Sequence, residues 1–242
     1  VNPQLGAEGR LRVTPAEKLR LPAPIHVYVT TYHAMSSWSP VSGRWHADRA
    51  IGKGFTDSEA RAGVIAEAAE RVSGLFHGDE RRISTSLRRL GARGIHPNDC
   101  MLFSRAQFDK RVEFNRGSTP HGLVPAPFEP DERMDWTPIW SLTGERQRYL
   151  PTAYLYYGHP DTTIDSSCWA DSNGCASGNT LEEAILRGIL ELVERDSVAL
   201  WWYNRVHRPG VDLAAGGDSW IEQVAAYYRS LERDIWALDL TT

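Results

Sequence analysis

A surplus of basic charge is missing from this sequence. Its 27 Lys and Arg are outnumbered by 31 Asp and Glu, giving a formal charge of -4, and the isoelectric point lies near 6.1. A protein that neutralises a phosphate backbone needs the opposite balance, so nucleic acid is not an expected partner. Long apolar runs are missing too. No stretch reaches the roughly 18 consecutive apolar residues of a membrane helix, and the opening Val1–Val13 has no apolar signal-peptide core. No membrane partner is expected, and the cytoplasm is the expected compartment. Cysteine is scarce: Cys100, Cys168 and Cys175 are too few for a disulfide framework, and no CxxC or HxxxH pair offers zinc-ligand spacing.

What remains, 41% hydrophobic and 24% charged over 242 residues, suits a domain able to bury a core. The chain opens on Val1 rather than Met, and Ile235–Thr242 reads as a strand running off the end, so both ends are expected to be cut. Residues 24–33 are rich in β-branched and aromatic types and read as a strand. Residues 37–54, with Pro40, Gly43 and the Gly52-Lys53-Gly54 triplet, read as a loop. From Asp57 to Phe76 apolar residues recur at three- and four-residue steps, which predicts a helix. Residues 79–150, broken by prolines, read as short strands and loops, and residues 151–157 as another strand. The turn-forming run Asp171–Asn179 leads to Thr180-Leu-Glu-Glu183, a capping box that predicts a second long helix to about Trp202.

The two helices share one pattern. Thr56-x-x-Glu59-Ala60 precedes Glu67-x-x-Glu70-Arg71, and Thr180-x-x-Glu183-Ala184 precedes Glu191-x-x-Glu194-Arg195 at the same spacing. Gly54 and Gly178 stand two residues before the two threonines. Packing alone does not demand such agreement, so the chain carries an internal pseudo-repeat whose halves are expected to face each other. Residues three apart on a helix share a face, so Glu67 with Glu70, and Glu191 with Glu194, form two carboxylate pairs. Each pair alone is either a solvated face offset by Arg71 or Arg195, or half of a hard-cation site. Four convergent carboxylates would suit Mg²⁺ bridging to phosphates, a nucleotide site without a P-loop. No Walker motif is present, because Gly54 follows Lys53 where Ser or Thr is needed, and a dinucleotide fingerprint fails at Asp57. Lys53 is placed either to reach a phosphate or to be an ordinary surface lysine.

Gly52-Lys53-Gly54 leading to Glu67-Ala-Ala-Glu70-Arg71, then Ser172–Thr180 leading to Glu191-Leu-Val-Glu194-Arg195-Asp196 and Trp201-Trp202-Tyr203-Asn204, resembles the YcaO family over about residues 25–242. The resemblance implies an α/β fold: a mixed sheet carrying the two pseudo-symmetric helices, with the ATP site between them. It makes residues 1–24 a linker or the end of a preceding segment, and 25–242 the N-terminal portion of the catalytic domain. It implies ATP and Mg²⁺ as cofactors, Glu67, Glu70, Glu191 and Glu194 as metal ligands, and Lys53 and Arg187 beside them in nucleotide binding. Two positions depart from the family pattern: Gly63 replaces the usual serine four before Glu67, and Arg187 replaces Gln or Asn four before Glu191. Arg187 either contacts the nucleotide or bridges Glu183 and Glu191 along the helix.

The ending of the second helix resembles the subgroup that makes azoline rings in ribosomally made precursor peptides. The implied reaction is an ATP-dependent cyclodehydration in which a substrate Cys, Ser or Thr attacks the preceding amide and ATP phosphorylates the oxyanion. The implied partners are a precursor peptide with its leader, a leader-binding clamp protein or domain, and a second copy forming a homodimer. Thioamide or amidine formation at the same ATP site, and a non-catalytic docking scaffold, are the alternatives. No general base is identified; His33, His121 and His159 are candidates, but a lone histidine in a loop is more often an ordinary surface residue.

Overall fold

A computed structural model describes residues 11–21, 24–35, 45–116, 122–163 and 165–241. The chain divides into two compact units, with breaks between Ala34 and Met35, Trp45 and His46, Ser73 and Gly74, and Asp171 and Ser172. His121 and much of the expected loop 37–54 lie outside the described residues.

The first unit is built on β3 (His26–Met35). Along one edge run β1 (Leu11–Val13) and β2 (Glu17–Lys18), both antiparallel, with Val13 opposite Tyr32 and Glu17 opposite Val29. Four steps on one strand thus meet three on the other, a bulge that lets one edge of β3 carry both. The strand β4 (Trp45–Gly54) also pairs with β3. The sequence reading placed a loop up to Gly54, because glycine there looks like a turn signal. The glycines serve close packing instead: a Cβ on Gly52 would overlap the Ala60 carbonyl and the Val64 amide, so only glycine lets β4 lie against the helix that follows.

That helix, α1 (Asp57–Ser73), buries Ala60, Val64, Ala68 and Val72, a stripe at four-residue steps. Its first turn is tied to the sheet through Asp57, whose carboxylate accepts from Lys18 Nζ at 2.7 Å, Tyr28 Oη at 2.9 Å and Arg61 Nε at 3.0 Å. These partners, Lys18 and Tyr28 foremost, hold the Asp57 carboxyl down at about 2. The second long helix, α7 (Leu181–Asn204), follows in this unit, closed by Arg205 in the left-handed conformation at φ 53°. It is covered differently from α1. Gly188 and Ser197 are its buried residues, while Leu186 and Val193 are each 56% exposed. Both expected long helices are present, and they differ in which residues they bury. An antiparallel pair of β8 (Gly210–Val211) and β9 (Ala237–Leu238), with α8 (Ser219–Ser230) between them in sequence, completes the unit.

The second unit contains β5 (Ile83–Thr85), β6 (Met134–Ser141) and β7 (Arg146–Pro151), antiparallel in that order. Trp136 is fully buried at its centre and its indole N–H donates to the Thr85 carbonyl at 3.0 Å. Short helices occupy the stretch read as strands and loops: α2 (Leu87–Leu90), α3 (Asn98–Met101), α4 (Arg105–Asp109) and α5 (Arg111–Asn115). The expected strand at 151–157 is replaced by the single turn α6 (Thr152–Leu155). Its strand-favouring residues yield to tertiary context, because Thr152 is drawn into a buried hydroxyl pair with Thr137 at 3.0 Å. Only Tyr157 beyond it pairs as extended chain, bridging in parallel to Leu75. Among the described residues no helix is long and apolar enough to cross a membrane.

Candidate functional site

All six residues singled out from the sequence, Lys53, Glu67, Glu70, Arg187, Glu191 and Glu194, fall in the first unit. The repeat seen in the sequence is a repeat of geometry. Thr56 Oγ1 accepts from the Glu59 amide at 3.2 Å, and Thr180 Oγ1 from the Glu183 amide at 3.2 Å. Glu59 reaches back to the amides of Phe55 and Thr56 at 2.9 and 3.0 Å, whereas Glu183 reaches back to the amide and side chain of Asn179 at 2.9 and 3.0 Å. Each helix thus starts on a side-chain cap that satisfies its free donors. The glycine two residues earlier is required in both halves, because a Cβ on Gly54 or Gly178 would press on the backbone amide of Ala60 or Ala184.

One helical stretch further on, Glu67 and Glu191 are clamped in the same manner. An oxygen of Glu67 accepts the Ile51 amide at 3.1 Å while the other faces Arg71 at 3.5 Å. An oxygen of Glu191 accepts the Gly174 amide at 2.8 Å while the other faces Arg195 at 3.1 Å. Backbone and guanidinium together fix the direction of each carboxylate, at half-buried positions where a wandering charge would be expensive.

The second member of each pair breaks the symmetry. Glu70 is half-buried and its carboxyl is pushed above the ordinary range, first by burial and then by Glu191 and Glu67, against the opposing Arg71 and the Ser177 backbone amide. Glu194 stays exposed. The structure therefore brings Glu70, Glu67 and Glu191 into one electrostatic neighbourhood across α1 and α7. Among the described residues no three His, Cys, Asp or Glu side chains are gathered tightly enough to hold a metal unaided. Lys53 lies on β4 and is exposed, rather than in a flexible loop. Arg187 pairs with Glu183, and Glu191 takes Arg195 as its partner. Of the three histidines weighed, His33 lies on β3 and His159 is buried in the second unit.

Sequence reasoning missed the backbone donors of Ile51, Gly174 and Ser177. Amides leave no mark in residue identity; the only hint was the clustering of glycine and small polar residues just before each helix.

A family described as YcaO cyclodehydratase, ATP- and Mg²⁺-binding, matches residues 51–242, which includes both clamps. The chain belongs to the YcaO family. The solved structures that resemble this YcaO chain include a heterocyclase in complex with substrate and cofactor, 42% identical with a TM-score of 0.84 over 94% of this chain and 31% of that one. The heterocyclase TruD is 50% identical with a TM-score of 0.69 over 75% of this chain and 26% of its own. YcaO from Methanopyrus kandleri, bound with AMPPCP and Mg²⁺, shares the fold at 20% identity, with a TM-score of 0.57 over 93% of this chain and 49% of its own. This chain spans under half of each of those proteins.

Proposed function

We propose that this YcaO protein is an ATP-dependent cyclodehydratase, which closes Cys, Ser or Thr side chains of a ribosomally made precursor peptide onto the preceding amide as thiazolines or oxazolines. The observation that carries the reading is the duplicated clamp, Glu67 on Ile51 and Arg71, Glu191 on Gly174 and Arg195, with Glu70 crowded beside both. Supporting it is the likeness to a heterocyclase 42% identical over 94% of this chain.

The residues fit Mg²⁺·ATP. Crowded carboxylates that make Glu70 hard to ionise are what a divalent cation relieves, and their all-oxygen chemistry suits a hard ion. No closed protein cage is required, because Mg²⁺ is commonly held by one or two carboxylates together with substrate phosphates. Glu67, Glu70, Glu191 and Glu194 would hold the metal, with Lys53 and Arg187 serving the nucleotide. When bound, Mg²⁺ offsets the charge of the phosphoryl group being transferred. The chain's own work is positioning: Arg71, Arg195 and the two backbone amides hold the carboxylates in place, and the glycine approaches hold β4 and residues 174–178 against their helices.

In the proposed reaction the substrate side chain adds to the amide carbon, the oxyanion takes a phosphoryl group from ATP, and phosphate leaves, with net loss of water from the peptide. A peptide leader held by a clamp protein or domain, a homodimeric enzyme, a catalytic domain beginning near residue 25 and a cytoplasmic location belong to the same reading. The test is to incubate the full-length protein with Mg²⁺, ATP, its precursor peptide and any clamp partner, and to weigh the peptide. A loss of about 18 Da per ring, abolished by Glu67→Ala or Glu191→Ala, is the expected result of amide activation by phosphoryl transfer. A gain of about 16 Da with sulfide supplied would reassign the protein to thioamidation by the same activation. No mass change and no ATP turnover would leave it a scaffold.

A further inference from the structure

The second unit holds a cavity of about 320 Å³ that the proposed reaction does not use. Its walls come from the segment before β6 and from the loop after α6, and His159 lines it. His159 is 3% exposed, and its ring stacks edge-on against Phe76 at 4.7 Å. Its Nδ1 accepts the Asp161 amide at 3.3 Å, which places the ring proton on Nε2. That Nε2 is buried and has no hydrogen-bond partner. Burial disfavours charging the ring, so a neutral imidazole offers one unspent N–H donor.

The rest of the cavity has the opposite character. Glu132, Asp135, Asp161 and Asp165 line it against a single cation, Arg133. Asp135 is taken by Arg82 at 2.8 Å and Asp165 by Arg111 at 3.0 Å. Glu132 and Asp161 have no ion-pair partner among the described residues and are exposed. The buried Cys168 thiol, also in the lining, is pushed up to about 12 by burial and then by Glu132, so it stays neutral. The cavity therefore asks for an acceptor beside His159 and a cation beside Glu132 and Asp161.

We propose that this cavity is a binding site for a peptide segment bearing a lysine or arginine, with a peptide carbonyl taking the His159 N–H and the cationic head held between Glu132 and Asp161. Its volume has room for one or two residues. The inference deepens the peptide-modifying reading above, giving the substrate a basic anchor point in the second unit, and rests on that reading only for what the peptide is for.

The test uses full-length protein and two blocked tripeptides, acetyl-Gly-Lys-Gly-amide and acetyl-Gly-Glu-Gly-amide, followed by the ¹⁵N signals of the histidine rings without ATP. The lysyl peptide is expected to shift the His159 Nε2 signal saturably, and the glutamyl peptide to leave it in place. Charge-pair logic puts the loss of lysyl-peptide affinity in Glu132→Gln and Asp161→Asn at about fivefold each, with a fall in added salt. Both variants alter exposed carboxylates, so circular dichroism should be unchanged. A silent Nε2 at millimolar peptide, meaning a buried water only, overturns the proposal, as do equal binding of the two peptides or indifference to both variants. Because binding is read without turnover, a protein that binds the lysyl peptide but never dehydrates its substrate would sink the proposed activity alone. An active enzyme with a silent cavity would sink this inference alone.

Discussion

Glu70 on α1 faces Glu191 on α7, and the second carboxylate raises the cost of ionising the first. The ordinary value for Glu70 is 4.5, and its folded value is higher. The folded state therefore holds that proton more tightly than the unfolded chain, and the stability it confers is lost as pH rises past 4.5 through the folded value. At neutral pH an ionised Glu70 works against the fold.

Glu70→Gln is accordingly expected to raise the melting temperature at pH 7, by about 1–3 °C for a chain of this size, while abolishing Mg²⁺-dependent ATP turnover. Thermal scans at pH 7 and pH 4 check this, with the gain shrinking at the lower pH. A variant that melts lower at pH 7 would refute it.

Asp57 works in the opposite direction. Its carboxyl sits at about 2 instead of 3.8, so it adds stability above 3.8 that disappears as pH falls towards 2. Urea titrations should show Asp57→Asn less stable than wild type at pH 7, and the two curves should converge as pH falls towards 2.

Gly52→Ala forces a methyl group into the backbone of α1, at Ala60 and Val64. Overpacking of this kind typically costs about 1–3 kcal/mol. Since β4 must retreat, the Ile51 amide leaves Glu67, so activity should fall further than the residual folded fraction explains. Comparing urea midpoints with turnover per folded molecule separates the two losses.

His159 is buried neutral with its ring held below the usual 6.5, burial being the main cause. Its contribution is intact above 6.5 and is lost as pH falls through the folded value, because the unfolded chain takes up the proton first. Between pH 7 and pH 5 the wild type should lose more stability than His159→Gln, measured by chemical denaturation at both values.

The parts of the structure that the sequence disclosed are those with a repeating local cause. The extents of α1 and α7 were legible because apolar residues recur on one face and a Thr-x-x-Glu cap opens each helix. The Glu67 and Glu191 pairs were legible because the repeat duplicated them. The β4 strand was not, since Gly52 and Gly54 carry the same letters whether they make a turn or admit a neighbouring helix. The helix α4 had a signal that went unread, a capping box in which Ser104 accepts the Gln107 amide at 3.3 Å and Gln107 returns to the Ser104 amide at 2.9 Å. The unequal burial of Glu70 and Glu194 left no trace at all, because it depends on what lies opposite each helix.

Each clamp also acts as a tether. Glu67 and Glu191 are both bound to an amide of the segment that precedes their helix, so a cation that fixes either carboxylate also fixes the strand or loop tied to it. Filling the site would then be felt in the backbone. The amide protons of Ile51 and Gly174 would exchange with solvent more slowly on the loaded protein, an occupancy gauge that needs no label and no turnover.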